Sequence, residues 1–389
     1  MNSGSSDRDS GRLQGSAPPQ AGIERREPAP AESRFANEEQ TSDRDSGRLQ
    51  GSAPPQAGIE RREPAPADSR FADKAETLGD LIATLGSIDD DEIDWPNVRQ
   101  TTVLIQQSFS YEYPGPITAL RHRLMVVPPD YHEDQRLLTH KIRVSGCDVD
   151  TERSYDTFGN VVLDLSLEHV EREATFTTWA VVEREAAVDG KDAPDAISFD
   201  QRFADSSRLT RPDDALRAVA EELRSTGAQG VELAELISRR VYEHLEYRWG
   251  VTAVTTTAAE AWAGGIGVCQ DYAHCMLALC RLCGLPARYV SGHVLGDGGT
   301  HAWVEVLVQH PQDEEALRAV PIDPTHDRRA GLRYLTVAVG RDYCDVPPTS
   351  GTYDAPYTGE LTTHKRAAVT RVEYVRAPRR RRPGPVRTA

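Results

Sequence analysis

The sequence has no run of about 18 consecutive apolar residues, which is the minimum length that a membrane-spanning helix needs. Its first residues lack an apolar segment behind a basic start, so we expect no signal peptide. Four of the six cysteines fall within residues 269–283, which is not the spread of a disulfide framework. These absences predict a location in a reducing cytoplasm and no membrane partner.

Lysine is also scarce, because only four of the 45 basic residues are lysines and the others are arginines. The 61 acidic residues give a formal net charge of −16, which argues against a general binder of nucleic acid or anionic membrane. The hydrophobic fraction of 38% is low for a globular chain and indicates a sizeable polar segment.

That polar segment is a tandem duplication at the N-terminus, where residues 6–36 recur almost unchanged at 42–72. Each copy offers only Leu, Ile and Phe as large apolar residues among Ser, Pro, Gly, Arg and Glu, too few to bury a core. Two copies are also too few for a solenoid. We interpret residues 1–75 as a disordered arm, with a plain linker favoured over a motif that binds a protein partner.

Residues 76–100 combine a short amphipathic pattern with an acidic linker. Leu78, Leu81, Ile82 and Leu85 recur at helical spacing, and the acidic run 89–94 follows. A helix that docks on the body of the protein is favoured over a docking peptide for another protein. At the other end, residues 376–389 hold six arginines and no acid, which predicts a basic disordered tail.

Two folded domains are predicted between these segments, at 101–190 and 205–375. The first contains β-rich runs separated by Pro and Gly turn signals, which predicts a β-sandwich. These runs are residues 101–113, 119–128, 140–146, 160–167 and 174–185. The second mixes two amphipathic helices, a cysteine-containing helix and two strands joined by a glycine-rich turn. The fold class predicted is therefore α+β.

Cys269 is the candidate nucleophile of the second domain. Three glycines before Val268 oppose a regular helix, while the apolar run from Ala273 to Leu282 favours one, ended by glycine and then proline. Cys269 is thus expected at or near a helix N-terminus, where the helix dipole and free N–H groups favour a thiolate and an oxyanion.

A thiolate nucleophile needs a base and a group that orients the base. His301 begins the strand that follows the glycine-rich turn, and Asp323 lies between two prolines that stiffen its backbone. The spacing between such partners is weak evidence, because they meet in space and not along the chain. We predict Cys269, His301 and Asp323 as a catalytic triad.

The ordered blocks around these three residues resemble the transglutaminase-like superfamily in its bacterial branch. They are GVCQDYAH, GLPARYVSGH, THAWVEV and PIDPTHD, with VTTTAAEAW upstream and VGRDYCDVPPTSGTY downstream. The β-rich segment with YDTFGN resembles the N-terminal domain that accompanies this core. The resemblance spans residues 103–375. It implies a papain-like α+β core and the same triad, Cys269, His301 and Asp323.

Other residues of the segment have weaker predicted roles. Gln270 and Trp262 are candidates for a second oxyanion donor, and Trp303 for a wall of the cleft. Cys275, Cys280 and Cys283 are interpreted as packing residues and not as a redox or zinc site. His274 is expected on the helix surface, Asp271 near the helix start as a cap, and His293 and His326 either in the cleft or exposed. No metal or cofactor is predicted.

The predicted chemistry is attack of Cys269 on an amide carbonyl of a peptide or protein, which leaves a thioester. Release by water makes the protein a cysteine peptidase or amidase, and release by an amine makes it a protein-glutamine acyltransferase. The triad serves both, and hydrolysis is favoured because water is always present whereas an amine site must be built. A non-catalytic binding or scaffold module is the alternative from another class. The sequence leaves the oligomeric state open.

Overall fold

The computed structural model describes residues 24–25, 87–145, 151–186, 196–296 and 300–375. Apart from residues 24–25, the arm lies outside the described residues, as do the pattern at Leu78–Leu85 and the basic tail. The strands are β1 Glu24–Arg25, β2 Val98–Glu112, β3 Ile117–Leu124, β4 Tyr131–His132, β5 Gln135–Val144, β6 Glu152–Tyr155, β7 Val161–Val170, β8 Glu173–Glu185, β9 Glu246–Tyr247, β10 Ile266–Gly267, β11 Ala287–Val294, β12 Thr300–His310, β13 Asp313–Asp323, β14 Arg328–Arg329, β15 Tyr334–Gly340, β16 Thr349–Asp354 and β17 Glu360–Tyr374.

The α-helices of the described residues are α1 Asp214–Ser225, α2 Gly230–His244, α3 Ala258–Gly264 and α4 Cys269–Leu282. Short 3-10 turns lie at Asp90–Glu92, Trp95–Asn97, Gln201–Phe203 and Tyr343–Asp345. The predicted α+β class is confirmed by this mixture. No helix in the described ranges has the length and apolarity required to traverse a bilayer.

Two five-stranded sheets form a β-sandwich, in the orders β1-β16-β3-β7-β6 and β17-β2-β8-β5-β4. Side chains alternate between buried and partly buried along β8, because successive residues of a strand point to opposite faces. The inward residues of the two sheets share one apolar core, which includes Phe109, Leu120, Leu163 and Phe176. The five β-rich runs of the sequence correspond to β2, β3, β5, β7 and β8.

The last two strands of the described chain also belong to this sandwich. β16 pairs with β3, and β17 pairs with β2 along nearly its whole length. The predicted catalytic range, 205–375, therefore needs correction, since its final strands lie in the sheets of the N-terminal domain. Pairing between segments more than 200 residues apart leaves no mark in the local pattern of either one.

The second predicted domain, which we call the catalytic domain after the role predicted for it, is built on a third sheet, ordered β14-β13-β12-β11-β15, against which α4 packs. The helices α1, α2 and α3 cover the other sides of α4, so residues 270–281 are all buried.

His274, which was expected on the helix surface, is fully buried because α4 is covered on all sides. Its Nε2 accepts the backbone N–H of Tyr343 at 3.2 Å. Burial lowers the pKa of His274 to about 4.

The sandwich docks on the free edge of β15 through two buried amide side chains. Asn160 donates from Nδ2 to Val339 O and accepts from Val339 N, both at 2.7 Å. Gln135 makes the same pair of contacts with Thr336, at 2.7 and 2.9 Å. The two amides thus satisfy backbone groups that an edge strand would otherwise leave unpaired.

We predict that Asn160→Ala lowers the free energy of unfolding by about 2–4 kcal/mol, because it leaves a buried N–H and a buried C=O of Val339 without partners. Urea denaturation followed by fluorescence measures the change. Asn97→Ala is the matched control, because Asn97 bonds Asp94 on the surface, and it should cost less than about 0.5 kcal/mol. Equal losses for the two variants would contradict a docking role for Asn160.

Candidate active site

Cys269 is the first residue of α4, and a buried carboxylate holds the chain at this point. Asp271 accepts the backbone N–H of Val268 at 2.8 Å and the hydroxyl of Thr252 at 2.7 Å. Gly267 precedes this turn, and a Cβ there would come within 2.6 Å of the Cβ of Asp271, so only glycine fits without displacement. The start of the helix, and with it the half-buried thiol of Cys269, is therefore fixed in place.

His301 and Asp323 meet on neighbouring strands of the catalytic sheet. His301 is the second residue of β12, and Asp323 is the last residue of β13. His301 Nε2 lies 2.8 Å from Asp323 Oδ2, and a side-chain hydrogen bond also links His301 to Cys269. Because Nε2 is taken by Asp323, Nδ1 is the nitrogen that serves the thiol. The structure thus brings the three predicted triad residues together.

The pKa values of the histidine and the aspartate move apart. Burial alone would lower the pKa of His301, but the Asp323 carboxylate, with a smaller contribution from Cys269, raises it to about 10. Burial would raise the pKa of Asp323, yet the His301 charge and hydrogen bond hold that pKa well below its usual range. At neutral pH the pair is therefore an imidazolium and a carboxylate.

Asp323 is shared by further donors that hold its carboxylate in place. His326 Nδ1 and the Tyr334 hydroxyl each lie 2.7 Å from Oδ2, and the backbone N–H of Thr325 donates to Oδ1 at 2.9 Å. Tyr334 was not predicted, because a strand residue eleven positions after Asp323 follows no motif spacing. His326 is exposed and is absent from the cleft lining, which matches the second of the two alternatives, although its ring contacts Asp323.

The three remaining candidates lie in different surroundings. Gln270 lines the cleft, but its Nε2 donates to the carbonyl of Val254 at 3.2 Å. Trp262 is absent from the cleft lining, so its prediction as a cleft candidate is corrected. It stacks on His244 in the helical core, with ring centroids 3.8 Å apart. Trp303 is also absent from the cleft lining. It is buried beside His301, with ring centroids 6.3 Å apart, and supports that ring from behind.

The other cysteines of α4 lie in the core. Cys275 and Cys280 are fully buried, and burial raises the pKa of both thiols. Cys283 is partly buried at the helix end, and burial raises its pKa as well. Their placement fits the packing role expected for them.

The cleft around Cys269 lies between the catalytic domain and the sandwich. Its rim carries Tyr247 and Trp249, whose side chains are exposed. The catalytic domain contributes Gln270, Tyr289, Ser291, Thr300 and Tyr343, and the sandwich contributes Phe109, Thr349, Leu361, Thr363 and Lys365. Sequence reasoning missed the sandwich residues, because it placed β16 and β17 in the other domain.

His301, Asp323 and His326 also form the donor set of a transition-metal site, since their ligand atoms lie within 4.8 Å of one another. A cation bound to these atoms would replace the hydrogen bonds that both histidines make to Asp323. It would also withdraw His301 from Cys269. Such a cation is therefore expected to compete with the chemistry of the triad.

The fold and site describe an α+β protein in which a cysteine at a helix start, a histidine and an aspartate lie together, with a β-sandwich beside them. Residues 217–324 match the transglutaminase-like superfamily, and residues 103–183 match the bacterial transglutaminase-like N-terminal region. The resemblance that the sequence blocks predicted is thus confirmed over residues 103–183 and 217–324.

Similar proteins include a candidate cysteine protease from Cytophaga hutchinsonii, whose solved structure has a TM-score of 0.58 at 21% identity over 71% of this chain and 93% of its own. That likeness concerns the fold. An uncharacterized protein of Mycobacterium tuberculosis is 28% identical over 62% of this chain and 84% of its own length. One of Mycobacterium leprae is 28% identical over 64% and 92%, respectively.

We predict that Asp323→Asn slows alkylation of Cys269 by iodoacetamide at neutral pH about 100-fold, because a neutral amide cannot hold His301 as an imidazolium. In the native protein His301 keeps its proton until the pH rises through about 10, and the variant should lose it at lower pH. The rate is followed against pH by mass spectrometry of the Cys269 peptide. His326→Gln, which spares the Asp323 charge, should cost less than about tenfold. An unchanged profile in Asp323→Asn would refute the assignment.

Proposed function

We propose that this protein is a cysteine peptidase or amidase that cleaves an amide bond of a peptide or protein through a thioester on Cys269. The observation that carries the proposal is the placement of Cys269 at the start of α4 with His301 hydrogen-bonded to both Cys269 and Asp323. The half-buried thiol lies in a cleft, whereas Cys275 and Cys280 lie in the core.

The first half-reaction forms the thioester. With His301 present as an imidazolium, Cys269 reacts as its thiolate, which attacks the amide carbonyl carbon. Negative charge on the carbonyl oxygen is stabilised by the dipole of α4, whose first residues, Cys269 and Gln270, line the cleft. The C–N bond then breaks, and His301 returns its proton to the departing nitrogen. Asp323 keeps His301 oriented throughout.

The second half-reaction releases the acyl group. His301 removes a proton from a water molecule, the oxygen attacks the thioester carbonyl, and the C–S bond breaks to give a carboxylic acid and free Cys269. Water needs no recognition contacts to enter a cleft whose lining includes the exposed side chains of Tyr247 and Trp249. An amine acceptor needs contacts of its own, so hydrolysis is the simpler outcome for the same residues.

The choice is tested with a mixture of glutamine-containing peptides in heavy-oxygen water, with and without a labelled primary amine. We expect heavy oxygen in the new carboxyl group, little amine incorporation, and loss of at least about 1,000-fold of the turnover in Cys269→Ala. Mass spectrometry of the peptides gives both products at once. Amine incorporation that exceeds hydrolysis would show an acyltransferase instead.

A non-catalytic module is tested by labelling thiols with iodoacetamide at neutral pH. We expect Cys269 to react first and to lose this preference in His301→Ala. Cys344 is the matched reference, because it is exposed and lies outside the triad, and its labelling should be the same in both proteins. Slow, equal labelling of Cys269 and Cys344 in the native protein would rule out an activated nucleophile.

A further inference from the structure

Lys365 is a cleft residue that the triad mechanism does not use. It lies on β17 of the sandwich, and its Nζ donates to Thr300 Oγ1 at 3.0 Å. Thr300 directly precedes His301 on β12, and Thr300, His301 and Lys365 all line the cleft that holds Cys269. The aromatic ring of Phe109 lies 5.5 Å from Nζ and holds the side chain from the other side.

The charge of the cleft is unlike that of the whole protein. The chain carries a formal charge of −16, yet no described residue that lines the cleft is an aspartate or a glutamate. Lys365 makes no ion pair with any described residue, so its charge is not neutralised by a carboxylate of this part of the protein. A partly buried ammonium that no described carboxylate neutralises favours an anion from outside, in addition to its electrostatic attraction to the Cys269 thiolate.

The hydroxyl of Thr300 provides a second hydrogen-bond donor beside the Lys365 ammonium. Its hydroxyl oxygen accepts a hydrogen bond from Lys365, which leaves the hydroxyl proton able to donate to a second acceptor. An ammonium and a hydroxyl side by side match the two oxygens of a carboxylate. The basic residue here is one of only four lysines in a chain that otherwise uses arginine. A compact ammonium fits such a point contact, whereas a guanidinium needs more room.

We propose that Lys365 and Thr300 form an anion-binding subsite beside Cys269, which accepts a carboxylate of the acyl-donor substrate. The preferred substrates are then peptides with an acidic side chain or a terminal carboxylate next to the amide that Cys269 attacks. This inference rests on the proposed function of Cys269 as the nucleophile, and it adds the substrate class.

The test compares two alkylating reagents that differ in one group. Iodoacetate carries a carboxylate and iodoacetamide a neutral amide, and both react with the same thiolate of Cys269. The ratio of their rates therefore cancels any effect of Lys365 on thiolate formation and reports anion recognition alone. Burial lowers the pKa of Lys365 to about 7, so the reactions are run at about pH 6, where the ammonium is present.

We expect Lys365→Met to lower the iodoacetate-to-iodoacetamide rate ratio at Cys269 about tenfold, as loss of one charge-assisted contact predicts. Lys365→Gln, which is polar and neutral, should give the same fall, and Lys365→Arg should retain part of the ratio. Lys141→Met is the matched control, since Lys141 is exposed on β5, and it should leave the ratio unchanged. Circular dichroism confirms that each variant is folded.

The outcomes separate the two proposals. A ratio unchanged in Lys365→Met and Lys365→Gln overturns the subsite even if Cys269 reacts fast with iodoacetamide. Slow reaction of Cys269 with both reagents in the native protein instead overturns the nucleophile. Pairs of peptides that differ by Glu or Gln beside the scissile amide extend the test to catalysis. The native protein should favour the Glu peptide in kcat/KM, and Lys365→Met should lose that preference.

Discussion

The free edge of β15 is the constraint on which the arrangement of the two domains depends. An edge strand exposes N–H and C=O groups that must find partners, and here Asn160 and Gln135 supply them from the sandwich. Because both amides are buried and doubly bonded, the sandwich is held in one orientation against the catalytic sheet. That orientation brings β17 over the start of α4. The cleft is therefore a property of the domain interface and not of the catalytic domain alone.

The buried charge of Asp323 sets the electrostatics of the site. A carboxylate without exposure to water is stable only when it is hydrogen-bonded and paired, and His301, His326 and Tyr334 meet that need at one oxygen. Of these three donors, His301 is the one with a hydrogen bond to Cys269. His326 and Tyr334 hold the Asp323 carboxylate in position. Orientation of the histidine ring thus depends on residues that act through the Asp323 carboxylate.

The sequence predicted the features that depend on local chemistry. The glycines before Cys269, the apolar run after it and the glycine–proline ending predicted a helix that the structure begins at Cys269. Alternating patterns predicted five strands of the sandwich. The sequence could not show that α4 is covered on all sides, so His274 was expected in water. It could not place β17 beside β2 either, because strand pairing across the whole chain is set by the global fold. Tyr334 and Lys365 were missed for the same reason.

The pairing of β17 with β2 also orders events during synthesis. β2 leaves the ribosome early, but its outer edge in the sheet is covered only when residues 360–374 have followed. Domains generally fold as units as the chain emerges, and this sandwich is not a complete unit until its last strand arrives. Cys269, His301 and Asp323 are all translated before Lys365. A nascent chain therefore carries Cys269 before the residues of β17 that line the cleft have been synthesised.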